Sequence, residues 1–308
     1  MVGEFYGERE DAERDAGFAI FYMSINIGGF IGPIISGYIG FKYGYGYAFG
    51  TSAVGMAFAL INTFWCYNKT IKNVGLRSTK KERKLPKIPW TYFEKKRVWI
   101  YLAICVSNIL WNIFYTLPYG LLNLWADQHL NRTVGGWSIP PAWYYSSYAV
   151  MIIVFSPIIA IVYKKLESKK KNFTLSYKLA IAYLLMGIGC IILMPFVMHI
   201  AANPLYKGNM GYFFIFYAFF AFSELLTIPV LLSAATKFAP ANFSATLVSL
   251  NMLISWCIGG YLGGEVSALA VTISPTIIFI AMIIACFIFF FGHIFTNGVI
   301  EKNCSSNA

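Results

Sequence analysis

The feature that most constrains this chain is a series of eight apolar runs, at roughly residues 18–41, 43–66, 98–125, 143–163, 173–200, 210–235, 243–268 and 272–296. Each exceeds the ~20 residues a helix needs to cross about 30 Å of hydrocarbon. Hydrocarbon offers no water to a peptide group, so every N–H and C=O in a spanning segment must be paired by protein. A continuous apolar run of this length meets that demand as a helix, whereas a spanning strand is about half as long and alternates in polarity. The composition agrees, because 58% hydrophobic and 12% charged residues leave too little polar surface for a soluble domain of 308 residues. The expected class is an all-α membrane protein with eight transmembrane helices, and a soluble enzyme is excluded.

The net charge of +11 raises the question of a nucleic-acid partner, and the placement of the charge answers it. Eleven of the lysines and arginines fall between Lys69 and Arg97, and six more between Lys164 and Lys178. Clusters of this kind between apolar runs mark cytoplasmic loops rather than a basic binding face. With the N-terminus placed inside, twenty-one basic residues lie on the cytoplasmic side and three outside. A multi-pass protein of a bacterial inner (plasma) membrane, with both termini in the cytoplasm, is therefore expected. The first sixteen residues are acidic and polar and contain no apolar signal core. The six cysteines form no CxxC pair and the three histidines are scattered, so neither a metal site nor a cofactor is expected.

One residue breaks the apolar pattern where the break is expensive. Glu224 lies fourteen residues into the run from 210 to 235, about 21 Å along a helix of about 39 Å. A carboxylate at the centre of a membrane helix costs roughly 2.5–3.5 kcal/mol on insertion scales. A chain retains such a group when it faces a watery path, a partner charge or a substrate. Tyr217, Phe220, Glu224, Thr227 and Leu231 share its helical stripe. A functional Glu224 would hold a proton or a cationic group; the alternative is a structural acid bonded to a neighbouring helix. Asn26 shares a face with Tyr22, Gly29 and Pro33 in the first run. Its amide suits a substrate carboxylate or carbonyl, and equally a bond to another helix. Glu265 lies near the outer end of its run and can reach the interface. No phosphate loop, serine elbow or metal cluster is present in the sequence. GxxxG spacings occur at Gly28 with Gly32, Gly259 with Gly263, and Gly260 with Gly264, and such spacing lets helix backbones approach closely.

Three stretches resemble the proton-coupled oligopeptide transporter (POT/PTR) family of the major facilitator superfamily. Arg14-Asp-Ala-Gly-Phe followed by Phe21-Tyr-Met-Ser-Ile-Asn-Ile-Gly is similar to the family's fifth-helix signature, RDxGF with FYxxINxG. Ser223-Glu-Leu-Leu-Thr-Ile-Pro through Thr236-Lys-Phe-Ala-Pro resembles the tenth-helix pattern GELxxSPxGL…TKxAP. Leu122-Asn-Leu-Trp-Ala-Asp with Gly136-Trp-Ser-Ile-Pro is similar to the end of the seventh helix and the loop that follows. The resemblance implies a major-facilitator-like helical bundle, N-terminally truncated, whose eight helices correspond to the fifth through the twelfth. Residues 1–67 would be the last two helices of an N-terminal bundle, 68–97 a basic cytoplasmic linker, and 98–308 a six-helix C-terminal bundle.

The same resemblance implies import of di- and tripeptides driven by protons, with Asn26 toward the peptide's carboxyl side and Glu224 toward its amino group. Glu224 would also serve proton coupling, and Tyr22, Tyr148, Tyr217 and Asn251 would line the substrate site. The chain departs from the family pattern at several of these places. Tyr148 stands where the family has asparagine, Asn251 replaces a tryptophan, Ser223 replaces a glycine, and no acid lies near Thr116. The first-helix ExxERFxxY motif and the fourth-helix lysine have no counterpart. Besides the lipid bilayer, a separate chain supplying the four remaining helices is an expected partner, without which the chain would be inactive. The alternatives are a small transporter of another substrate that works as an oligomer, and a non-transporting membrane subunit.

Overall fold

A computed structural model of the chain describes residues 11–67, 69, 72, 89–168, 174–240 and 243–305. Most of the basic segment 68–97 up to Pro89 lies outside the described residues. Eight helices among the described residues are long and apolar enough to span a membrane. The chain forms two compact units, Met1–Pro89 and Trp90–Ala308.

The first unit is a helical hairpin of α1 (Asp11–Tyr43) and α2 (Tyr45–Cys66). The two helices meet at Gly44, whose φ of 102° turns the chain in a region that only glycine enters freely. Its N–H closes on the Gly40 carbonyl at 3.0 Å, and Tyr47 N–H on the Gly44 carbonyl at 3.1 Å. Gly40 lets α2 come close, since a Cβ there would stand 3.1 Å from that of Ala48. No residue of α2 is buried, and Phe49, Phe58, Phe64 and Trp65 are among its exposed apolar side chains. Among the described residues this hairpin shows no apolar core of its own.

The second unit is a bundle with a continuous apolar core. Its first helix, α3 (Tyr92–Thr116), starts with a capping box. Thr91 Oγ1 accepts from Glu94 N–H at 3.2 Å while Glu94 Oε2 accepts from Thr91 N–H at 2.8 Å, which pairs two donors that a helix start leaves open. The run from 98 to 125 reads in the sequence as one span, yet the structure breaks it. Pro118 carries no N–H, and the chain turns through Leu117–Gly120 before α4 (Leu121–His129). A two-stranded hairpin follows, β1 (Thr133–Val134) and β2 (Trp137–Ser138), with Gly135 and Gly136 at φ 57° and 81°. Both values suit the primed two-residue turn that matches strand twist. Arg132 pins the hairpin by donating to Asp127 Oδ1 at 2.7 Å and to the Ile139 carbonyl at 2.8 Å.

The remaining helices are α5 (Ala142–Ser168), α6 (Leu175–Ala202), α7 (Gly211–Phe238), α8 (Ser244–Asn251), α9 (Gly259–Thr272) and α10 (Pro275–Ser305). Thr174 caps α6 by accepting from Tyr177 N–H at 3.3 Å. α10 packs along α6, α6 along α7, α7 along α5, and α3 along α9. Between α8 and α9 the chain winds as a π-helix, Met252–Ile258. In an α-helix residues four apart drift about 40° around the axis at each step. The wider π turn, bonded i→i+5, reduces that drift, and Asn251, Ser255, Gly259 and Gly263 keep one face toward α3. Ser255 Oγ donates to the Cys105 carbonyl at 2.9 Å. A Cβ on Gly259 would lie 2.5 Å from Asn112 Cβ and 2.9 Å from the Ile109 carbonyl, and one on Gly263 would run into Thr116 Oγ1. Gly260 and Gly264 have nothing within 4 Å. Of the two interleaved GxxxG spacings, packing uses Gly259 with Gly263.

Candidate functional site

The site is built on α7, whose aromatic stripe faces α3 and α5. Phe220, one turn before Glu224, is fully buried, with its ring 4.9 Å from Tyr148, 5.9 Å from Trp111 and 6.0 Å from Tyr115. Ser223 ties three helices together. Its Oγ accepts from Trp111 Nε1 at 2.8 Å and donates to the Ala182 carbonyl of α6 at 2.9 Å. Thr227 Oγ1 turns back to the Ser223 carbonyl at 2.8 Å. These bonds satisfy the small polar groups around the acid and fix the rotation of α7.

Glu224 itself is 5% exposed, and its Oε2 has no hydrogen-bond partner among the described residues. An oxygen left in that state costs free energy in the apo protein and is open to a donor brought by a ligand. The carboxylate lies within electrostatic reach of the Tyr115 and Tyr145 hydroxyls. Those hydroxyls belong to a chain, since Tyr119 Oη donates to Tyr115 Oη at 3.1 Å and is bonded to Tyr145 Oη. Trp256, carried by the π segment, lies 5.1 Å from Tyr115. Trp111, Tyr148 and Phe220 are buried, Tyr115, Tyr145 and Trp256 are half-buried, and Tyr119 is exposed. The result is a cup-like cluster of rings, partly exposed along Tyr115, Tyr119, Tyr145 and Trp256, with one buried acid beside it.

Of the residues expected from the sequence, Glu224, Tyr148 and Tyr217 come together here, with Tyr217 6.4 Å from Tyr148 ring to ring. Asn251 does not join them. It sits buried at the start of the π segment, its side-chain amide 2.9 Å from the Ser255 hydroxyl. Asn26 lies half-buried in α1, in the other unit. Tyr22 is also in α1, with its side chain outside the described residues. Glu265 is exposed. Sequence reasoning missed Trp111, Tyr115, Tyr119, Tyr145 and Trp256. The helical spacings of Trp111, Tyr115 and Tyr119, and of Tyr145 and Tyr148, were the available signal. A groove of about 410 Å³ between α3 and α10, with Ser107 and His293 on its wall, is apart from these residues.

The profile of the Major Facilitator Superfamily matches residues 2–264. The chain is 27% identical to an uncharacterized transporter, YclF, of Bacillus subtilis over 82% of this chain and 60% of that one. It is 25% identical to the peptide transporter YePEPT of Yersinia enterocolitica over 90% of this chain and 66% of that one. With the di-/tripeptide transporter of Lactococcus lactis it shares 23% over 82% of this chain and 62% of the other. The chain thus spans less than two thirds of the length of these relatives. Among solved structures, a peptide transporter POT in complex with alafosfalin superposes with a TM-score of 0.83 at 25% identity, over 98% of this chain and 70% of that one. A fold of membrane-spanning helices, a buried acid beside a cluster of aromatic rings and these likenesses converge: the chain is a multi-pass membrane protein, not an enzyme, that belongs to the Major Facilitator Superfamily and resembles that superfamily's oligopeptide transporters of the POT family.

Proposed function

We propose that this bundle carries one wall of a peptide site, with Glu224 receiving the substrate's amino group. The single observation that carries the reading is the Glu224 carboxylate, buried and with Oε2 unpartnered, beside a cluster of rings that is partly exposed. A buried carboxylate is stable when a cation pairs with it, and the ammonium end of a di- or tripeptide supplies that cation. In the unliganded state a proton on the same oxygen offsets the desolvation, which makes Glu224 the group through which import couples to protons. Tyr148 and Tyr217 line this wall. Asn26 and Tyr22 carry hydrogen-bonding groups suited to a peptide's carboxyl end, and Asn251 holds the π segment that carries Trp256. Helices packing on the exposed surfaces of α1 and α2 complete the cavity, and a separate chain is one source of them. The bias of twenty-one basic residues against three supports a topology with both termini in the cytoplasm, which we propose for a bacterial inner membrane. Alternating access then follows from rocking of two bundles about the site.

The test is binding of radiolabelled Ala-Ala by the purified chain in lipid nanodiscs. Saturable binding, competed by di- and tripeptides and not by free alanine, is the expected outcome. Glu224→Gln should weaken it at least thirtyfold, since truncating one partner of a buried charge pair costs about 2–5 kcal/mol. Unchanged affinity in that variant would remove the reading. Proton coupling is tested by uptake into membrane vesicles that also hold a chain supplying the remaining helices, where a protonophore should abolish it; uptake by this chain alone would refute its incompleteness.

A further inference from the structure

The groove between α3 and α10 takes no part in the site around Glu224. It encloses about 410 Å³ and is walled by Ile100, Ala103 and Ser107 of α3 and by Ile288, Gly292 and His293 of α10. Gly292 keeps it open, since a Cβ there would meet nothing within 4 Å. The hydroxyls on its walls are turned back to their own helices. Ser107 Oγ donates to the Ile104 carbonyl at 2.7 Å, and Thr296 Oγ1 to the Gly292 carbonyl at 2.8 Å. The His293 ring is buried, stacked on Tyr183 at 5.5 Å with Nε2 3.4 Å from Ser107 Oγ. The walls therefore suit an apolar occupant. From Ile288 to Ile300 the α10 wall runs about 18 Å, close to the ~15 Å of hydrocarbon in one leaflet. Spread over that length, the volume leaves a channel well under the ~10–12 Å diameter of a helix with its side chains. A single flexible hydrocarbon chain fits such a channel, and a helix does not.

The charge at one mouth of the groove selects the occupant's head. Tyr92, Phe93 and Trp99 are exposed around the first turns of α3, the kind of aromatic girdle that marks the headgroup level. Lys96 is exposed among them, one turn before Ile100 on the face of α3 that lines the groove. Lys95 and Arg97 flank it in sequence, and the acid of this turn, Glu94, is engaged with Thr91 in the helix cap. At the end of α10 the charges of Glu301 and Lys302 cancel. The mouth is thus net positive beside an apolar channel one leaflet deep, the combination that recognises anionic lipid. We propose that this groove holds one acyl chain of an anionic phospholipid, with the lipid's phosphate group beside Lys96.

Native mass spectrometry of the purified, delipidated chain, titrated with dioleoyl phosphatidylglycerol and with the phosphatidylcholine of the same chains, tests the assignment. One phosphatidylglycerol per chain should be retained saturably, about fivefold more tightly than phosphatidylcholine, which is the effect of one lysine near an anionic group. Lys96→Gln should remove most of that preference. Gly292→Leu, which puts a side chain into the open space of the groove, should abolish retention of the lipid. If Gly292→Leu fails to fold, as judged by gel filtration, Ala103→Leu on the opposite wall, where Ala103 is exposed, should abolish it in its place. Equal retention of the two lipids overturns the proposal, and so does retention that persists in a folded groove-filling variant. A dimer that the groove-filling variant dissociates would assign the groove to a second copy of the chain and overturn it as well.

Discussion

Adjacent glycines of one helix should respond in opposite directions to the same change. Gly259 and Gly260 both precede the body of α9, and both belong to a GxxxG spacing. At Gly259 an added methyl would stand 2.5 Å from Asn112 Cβ and 2.9 Å from the Ile109 carbonyl, and the carbonyl is backbone of α3 that cannot move aside without shifting the helix. Overpacking of this kind costs about 1–3 kcal/mol. Against it stands the gain from replacing glycine by alanine within a helix, about 0.5–1 kcal/mol. Gly259→Ala is therefore expected to lower stability by up to about 2.5 kcal/mol. At Gly260 nothing lies within 4 Å, so the helix gain is uncompensated and Gly260→Ala should be neutral or stabilising. The propensity contribution cancels between the two variants, which leaves a difference of about 1–3 kcal/mol. For a folding unit of this size that corresponds to a separation of melting temperature of a few to about ten degrees. Thermal unfolding of the two variants in one detergent, followed by tryptophan fluorescence, measures it. Equal melting temperatures, or a lower one for Gly260→Ala, would refute the assignment of the α3–α9 contact to Gly259 and Gly263.

Three further outcomes follow from the same geometry. Ser223→Ala leaves the Trp111 Nε1–H without its acceptor and should cost about 1–3 kcal/mol in unfolding; combining it with Trp111→Phe should recover most of that loss in a double-mutant cycle. Gly136→Ala forces a side chain to φ 81° and should destabilise the outer hairpin by about 1–2 kcal/mol, read as faster amide exchange at Val134 and Trp137. Asp127→Asn removes an ion pair whose acid is 47% exposed, and melting should fall by less than about 1 kcal/mol in stability terms, with the difference shrinking as salt rises.

The class of fold was legible because membrane spans are announced by composition alone: a run long enough to cross, without charges, has one way to pair its backbone. Glu224 was legible for the same reason, as an expense in an otherwise cheap segment. The interruption at Pro118 carried a weaker sign, since proline within a membrane helix is tolerated when neighbours re-pair the freed groups. The π-helix at Met252–Ile258 had no sign at all. It arises from the need to keep Ser255, Gly259 and Gly263 against α3, a requirement set by another helix 140 or more residues away in sequence. The aromatic cup was half legible. Its tyrosines and tryptophans stand at helical spacings, but aromatic residues are so frequent in this chain, 18% of it, that spacing alone does not select the ones that meet.

The sequence by itself determined that the chain spans a membrane as helices, which loops carry the basic charge, and where an acid is buried, because each of these depends on the transfer of single residues between water and hydrocarbon. The tertiary structure decided which faces of those helices meet: Gly259 rather than Gly260 at α3, Ser223 as the tie between Trp111 and α6, Asn251 turned to Ser255 and away from the cup. Those choices depend on the mutual rotation of packed helices, and between surfaces as apolar as lipid that rotation is fixed by close contact and by a few hydrogen bonds rather than by hydrophobicity.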